Sequence, residues 1–145
     1  MGRTSWEIFN VRRALVLNPL FVGLLAVLGW SACRAGGINP HSRSLAIAAA
    51  VGTVAAEAAM LPLLLTRGAD QATVSQAALA ATVVHMLAAA GLGGGASVLL
   101  HQGQPFLYWL LAFYWLTLVG VCIAAVATVK LAPPHVRAMP AHPVV

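Results

Sequence analysis

Long apolar stretches alternate with short polar ones along this chain. Uninterrupted apolar runs occupy roughly 14–33, 45–65, 74–100 and 106–129, and each matches or exceeds the about 20 residues that cross a hydrocarbon core as a helix. None shows the strict alternation of a membrane-barrel strand, and a helix closes its backbone hydrogen bonds within one segment, so the pattern predicts four spanning helices. The short separators pair them into two helical hairpins. The expected fold is therefore all-α: an integral membrane four-helix bundle over 14–131, preceded by a segment 1–13 and followed by a proline-containing, unstructured tail 132–145.

Turn chemistry marks the joints. Gly36-Gly37 and Asn39-Pro40 define the first loop, with Ser42 or Ser44 as the cap of the second helix. Gly68 suits the left-handed position after that helix, and Asp70 can cap the third. Pro105, after the His101–Gln104 turn, fits the first helical position of the last span. In the leading segment, Thr4 and Glu7 form a capping-box pattern, while Trp6, Phe9 and Arg13 share a face, which predicts a short helix lying at the membrane surface. Tyr108, Trp109, Tyr114 and Trp115 cluster in the first half of the last run and read as an aromatic belt at the headgroups.

Composition sharpens this picture. Of 145 residues, 61% are hydrophobic and 8% charged, against about 45–50% and 25% in soluble domains. Too little charge is present to cover a water-soluble core. The net charge of +5 would raise nucleic acid as a partner, but the basic residues flank apolar runs and no aromatic-basic interleaving accompanies them. They fit a lipid bilayer with anionic headgroups instead. Arg3, Arg12, Arg13, Arg67, Lys130 and Arg137 fall on one side of the predicted membrane, Arg34 and Arg43 on the other. By the positive-inside rule both termini and the central turn are cytoplasmic, and a bacterial inner membrane is the expected location. Trp30-Ser31-Ala32-Cys33 resembles a degenerate lipoprotein cleavage site with Trp in place of the favoured Leu, but the charge split requires a retained first helix.

Glu57 in the second run and His85 in the third are the ionisable residues that stand well inside these two segments. An intramembrane acid costs about 2.5–3.5 kcal/mol on insertion scales, so a partner should offset it. Ala46, Ala50, Thr53, Glu57, Leu61 and Leu64 form one stripe, which turns Glu57 toward protein, and Pro62 should kink the helix beside it. The third helix carries Gln71, Ser75, Ala78, Thr82, His85, Ala89, Gly93 and Ala96 on a stripe of small or hydrogen-bonding residues, the expected main seam. Gly91 and Gly95, four apart, read as a close-contact patch in the same helix. From the central turn, Glu57 lies about 15 Å deep and His85 about 22 Å, so Glu57 is expected to hydrogen-bond this stripe near Thr82, with His85 adjacent.

No catalytic constellation can be assembled from one acid and one histidine. A haem clamp needs a second intramembrane histidine, His41 reads as a solvated loop residue, His135 and His142 are too scattered for a metal site, and no cofactor is implied. Cys33 near one surface and Cys122, about 24 Å into the last span, are too far apart for a disulfide. Cys122 is expected in the core.

The basic flank at Arg12, the Arg67 turn and the polar start of the third helix through Thr82-Val83-Val84-His85 are similar, over about 12–130, to the ATP synthase protein I family. Where that family often has an acid followed by Lys, this chain has Gln71 to Gln76. The resemblance implies four spans, cytoplasmic termini and an accessory role in assembling or stabilising the c-ring of the rotary ATP synthase. The residues themselves imply a protein that packs against a membrane-protein partner or a second copy. The competing reading is a small proton- or cation-coupled transporter or channel that dimerises around Glu57.

Overall fold

The computed structural model describes residues 6–66 and 68–132. Four helices follow one another: α1 Trp6–Ala35, α2 Ser42–Leu65, α3 Gln71–Leu99 and α4 Gln104–Leu131. Among the described residues there is no strand. All four helices are long and apolar enough to cross a membrane. From Trp6 the chain continues directly into the first apolar run, so the segment before residue 14 is not a separate helix. The side chains of Trp6, Phe9 and Arg13, the Thr4 cap and the tail from Pro133 lie outside the described residues.

The turns form where the chain offers a left-handed residue. After α1, Gly37 takes φ 70°, with Ile38 N–H donating to the Cys33 carbonyl at 2.8 Å and Gly37 N–H to the Arg34 carbonyl at 3.2 Å. This is the Schellman pattern, in which glycine avoids a Cβ clash. The same pair of bonds ends α3, from Gln102 to Ser97 at 3.0 Å and from His101 to Val98 at 3.4 Å, with His101 at φ 51° in the position usually held by glycine. Gly68 at φ 80° serves the central turn. Asp70 stands at the N-cap of α3 in extended conformation and accepts from the Thr73 hydroxyl.

Neither serine caps α2; the N-cap is His41, at φ 46°. Ser42 accepts from Trp30 Nε1 at 3.2 Å, Ser44 donates to Gln102 Oε1 at 2.9 Å, and Trp109 Nε1 donates to the Pro40 carbonyl at 3.1 Å. These bonds stitch the first loop, the last turn and three helices together at one end.

Among the described residues α2 and α4 each touch the other three helices, whereas α1 touches α2 and α4 only. The apolar stretch of α2 is 44% buried and that of α1 only 6%. Two apolar clusters fill the interior. One joins Ala56, Ala59, Met60 and Leu63 of α2 to Ala77 and Ala81 of α3 and Val121 and Ala125 of α4. The other joins Val22, Leu45, Ala48, Phe106 and Phe113.

Bulky side chains of α4 set the spacing by packing against glycines on the other helices. A Cβ on Gly52 would lie 3.1 Å from the Cβ of Phe113, one on Gly93 2.5 Å from a Leu110 methyl, and one on Gly29 2.9 Å from the Trp109 ring. Of the four aromatic residues expected in a belt, Tyr108 and Trp115 face outward, while Trp109 is tethered to the Pro40 carbonyl and Tyr114 stacks on His85; Phe106 and Phe113 of the same helix are buried. Cys122 also faces outward, not into the core, and Cys33 is half-buried.

Because Phe113 Cβ cannot rotate away, Gly52→Leu should lower thermal stability in detergent by about 1–3 kcal/mol through overpacking. Gly91→Leu, where nothing lies within 4 Å of the added Cβ, should leave the melting temperature unchanged. Equal effects of the two substitutions would contradict the glycine contact.

Candidate functional site

Two polar centres occur in the apolar part of the structure. The inner one is built on His85, the only charged-type side chain among the described residues with no exposed surface. It sits on α3 between the two apolar clusters and faces α4. Its ring stacks on Tyr114 with centroids 5.4 Å apart and planes inclined by 10°. Its Nε2 is 3.3 Å from the hydroxyl of Thr117, itself buried.

Hydrogen-bond bookkeeping assigns the direction of that contact. Thr117 has one hydroxyl proton, which it donates to the Phe113 carbonyl at 2.7 Å, with the Tyr114 carbonyl at 3.2 Å as a weaker second acceptor. Its oxygen must then accept, so His85 carries its proton on Nε2. Nδ1 becomes the acceptor, and it is buried without a partner among the described residues. His85 thus stands in the α3–α4 seam with one nitrogen bonded to Thr117 and the other buried without a partner among the described residues.

The outer centre is built on Glu57. Asn18 Nδ2 of α1 donates to Glu57 Oε1 at 3.3 Å. Both side chains are half-buried. Beside the pair, α1, α2 and α4 leave an open-sided groove of about 460 Å³, lined by Asn18 together with apolar side chains of α1 and by Met60 and Gly120.

The expected bond from Glu57 to the third-helix stripe is therefore not formed. The positions of α2 that are buried are 45, 48, 51, 52, 55, 56, 59, 60 and 63, which turns the stripe through Thr53 and Glu57 toward α1. Thr53 and Thr82 each donate to a carbonyl of their own helix, Ala49 at 2.9 Å and Ala78 at 3.2 Å, so neither serves Glu57. Ser75 does likewise, to Gln71 at 2.8 Å. Glu57 and His85 thus lie on different interfaces.

The seam of α3 runs through Val74, Ala77, Ala81, His85, Ala89 and Gly93. It matches the expected stripe from His85 onward and is rotated by one residue before it, leaving Ser75, Ala78 and Thr82 half-buried at its edge. Gly93 makes the close contact that had been expected of Gly91 and Gly95, at both of which an added Cβ would meet nothing within 4 Å. α2 continues through Pro62 to Leu65, and the Pro62 carbonyl accepts from the Thr66 N–H at 3.2 Å and hydroxyl at 3.0 Å.

Sequence reasoning passed over Asn18 and Thr117 as polar partners and placed Tyr114 only in an aromatic belt. Asn18 was visible as an amide inside an otherwise apolar run, and Thr117 as a hydroxyl in the middle of the last one. Each is the kind of residue that requires a partner when surrounded by apolar groups.

The class defined so far is an all-α chain of four helices, each able to cross a membrane, with one polar contact inside and one at the edge. No family model matches the chain, and neither a curated protein nor a solved structure does.

Thr117→Val should strand the His85 N–H and cost about 1–3 kcal/mol in thermal denaturation, whereas adding His85→Phe, which keeps a ring against Tyr114, should recover much of that loss. Strictly additive costs would show that the two side chains do not interact.

Proposed function

We propose that this chain is a small integral membrane protein of four spans, with both termini cytoplasmic in a bacterial inner membrane, whose work is to pack against helices of a membrane-protein partner. Its outer surface supports insertion: Val16, Leu20, Leu24, Val27, Leu79, Leu87, Val119 and Ile123 are all exposed, a coat that water would not tolerate and acyl chains would.

The observation that carries the packing role is the outer face of α3. Gly91, Gly94 and Gly95 have open space where side chains would stand, next to the exposed Leu87 and Val98. Lipid offers no hydrophobic drive toward association, so close backbone approach at small residues is the usual source of helix–helix affinity in a membrane. The glycines that hold this chain together, Gly29, Gly52 and Gly93, are already occupied; these three are not. The resemblance to the ATP synthase protein I family identifies the partner we favour, the c-ring of the rotary ATP synthase, and the role as an aid to its assembly or stability.

The half-buried Glu57 beside an open groove favours a second reading, a proton- or cation-coupled transporter. On that reading Glu57→Gln abolishes proton-coupled flux into liposomes.

Under the packing reading, the tagged chain copurifies with rotor-ring subunits, and deleting it lowers the yield of intact rings. Replacing Gly91 and Gly94 together by Leu should lower that copurification by about tenfold or more, a loss equivalent to about 1.4 kcal/mol, without reducing the amount of folded chain. Unchanged ring yield and unchanged copurification would refute it.

A further inference from the structure

We propose that the groove between α1, α2 and α4 is a binding site for a lipophilic ammonium, a molecule with an apolar body and a single cationic N–H head. The inference rests on the membrane-inserted reading but not on the identity of any protein partner.

The shape comes first. The groove measures about 460 Å³, within the range of about 300–1,000 Å³ of small-molecule sites, which are mostly apolar with a few placed polar groups. Here the apolar walls are Leu17, Phe21 and Leu24 of α1 and Met60 of α2. Gly120 of α4 lines it too, and an added Cβ there would meet nothing within 4 Å, so the space is kept by a missing side chain.

The polar end decides the occupant. Asn18 lines the groove, and its amide N–H is committed to Glu57 Oε1. Glu57 does not itself line the groove; it stands behind Asn18, to which it is hydrogen-bonded, and three residues before Met60 on α2. The groups left over are Asn18 Oδ1 and Glu57 Oε2, for which the described residues supply no donor. Both are acceptors, and one belongs to a carboxyl group. An acyl tail or an apolar helix face would fill the walls and leave these acceptors unmatched. An ammonium head supplies the N–H donors that these oxygens lack. The exposed ring of Phe21 adds a face that attracts cations.

The test uses the full chain in lipid nanodiscs and anthracen-9-ylmethylammonium as a fluorescent probe, with its uncharged N-acetyl amide as control. Binding is read as probe anisotropy above that of empty discs. The ammonium should bind saturably and the amide should not. Glu57→Gln, which retains an oxygen for Asn18, should weaken binding by about tenfold or more, and Gly120→Phe should abolish it by filling the groove. Equal binding of the two probes, or no change in Glu57→Gln, would overturn the proposal and leave an apolar lipid groove. So would a change in the number of chains per disc in Gly120→Phe, which would make the groove a contact between copies. If Glu57→Gln fails to fold, Gly120→Phe decides alone, since its side chain enters open space. Retention of the chain in membranes through an alkaline carbonate wash reports the membrane reading separately.

Discussion

The structure depends on how closely the helices can approach α4. Phe113, Leu110 and Trp109 are large, yet their helix lies against α1, α2 and α3 because Gly52, Gly93 and Gly29 stand opposite them. Any side chain at Gly52 would push α2 away from α4, and these are the two helices that each touch all the others among the described residues. In a bilayer this constraint is stricter than in water, because separated helices lose no hydrophobic burial that lipid cannot replace. What they lose is dispersion contact, which falls steeply with a fraction of an ångström of gap.

The two polar contacts divide along the same lines. His85 and Thr117 lie in the packed interior between the two apolar clusters, and their bond pins the register of α3 on α4. A polar pair in a low-dielectric interior is costly to break and so specifies one arrangement among many similar alanine-rich ones. Asn18 and Glu57 join the least buried helix to the most buried one. Their pair is open on one side, which gives the carboxyl group access to molecules from outside the fold. The histidine is thus enclosed by the fold, and the acid stands at its edge.

Much of the architecture was legible in the sequence, because the signals for it are local. Apolar run lengths gave the four helices, and Gly37 and Gly68 stand at left-handed turn positions that glycine favours. What a run cannot reveal is which way a helix faces. α2 carries alanine on every side, so its stripe through Glu57 and its stripe through Ala48, Ala55 and Ala59 looked equally able to meet a neighbour. One residue of rotation separates contact with α3 from contact with α1. Gly93 lies on the seam with His85 and Ala89 and meets Leu110, whereas Gly91 and Gly95 lie off it. Thr53, Thr82 and Ser75 were equally ambiguous, since a hydroxyl in a helix can satisfy itself on the carbonyl four residues back. The aromatic residues of α4 showed their polar tips and not their neighbours.

The central claim is that these four helices cross a bilayer, with both ends of the chain on one side and the loop between α1 and α2 on the other. Labelling with a membrane-impermeant maleimide in sealed, oriented inner-membrane vesicles tests it directly, using single cysteines placed at His41 and at Ala69 with Cys33 and Cys122 replaced. The account predicts that a cysteine at position 41 is labelled only from the periplasmic side and one at position 69 only from the cytoplasmic side. Labelling of both positions from the same side would contradict it.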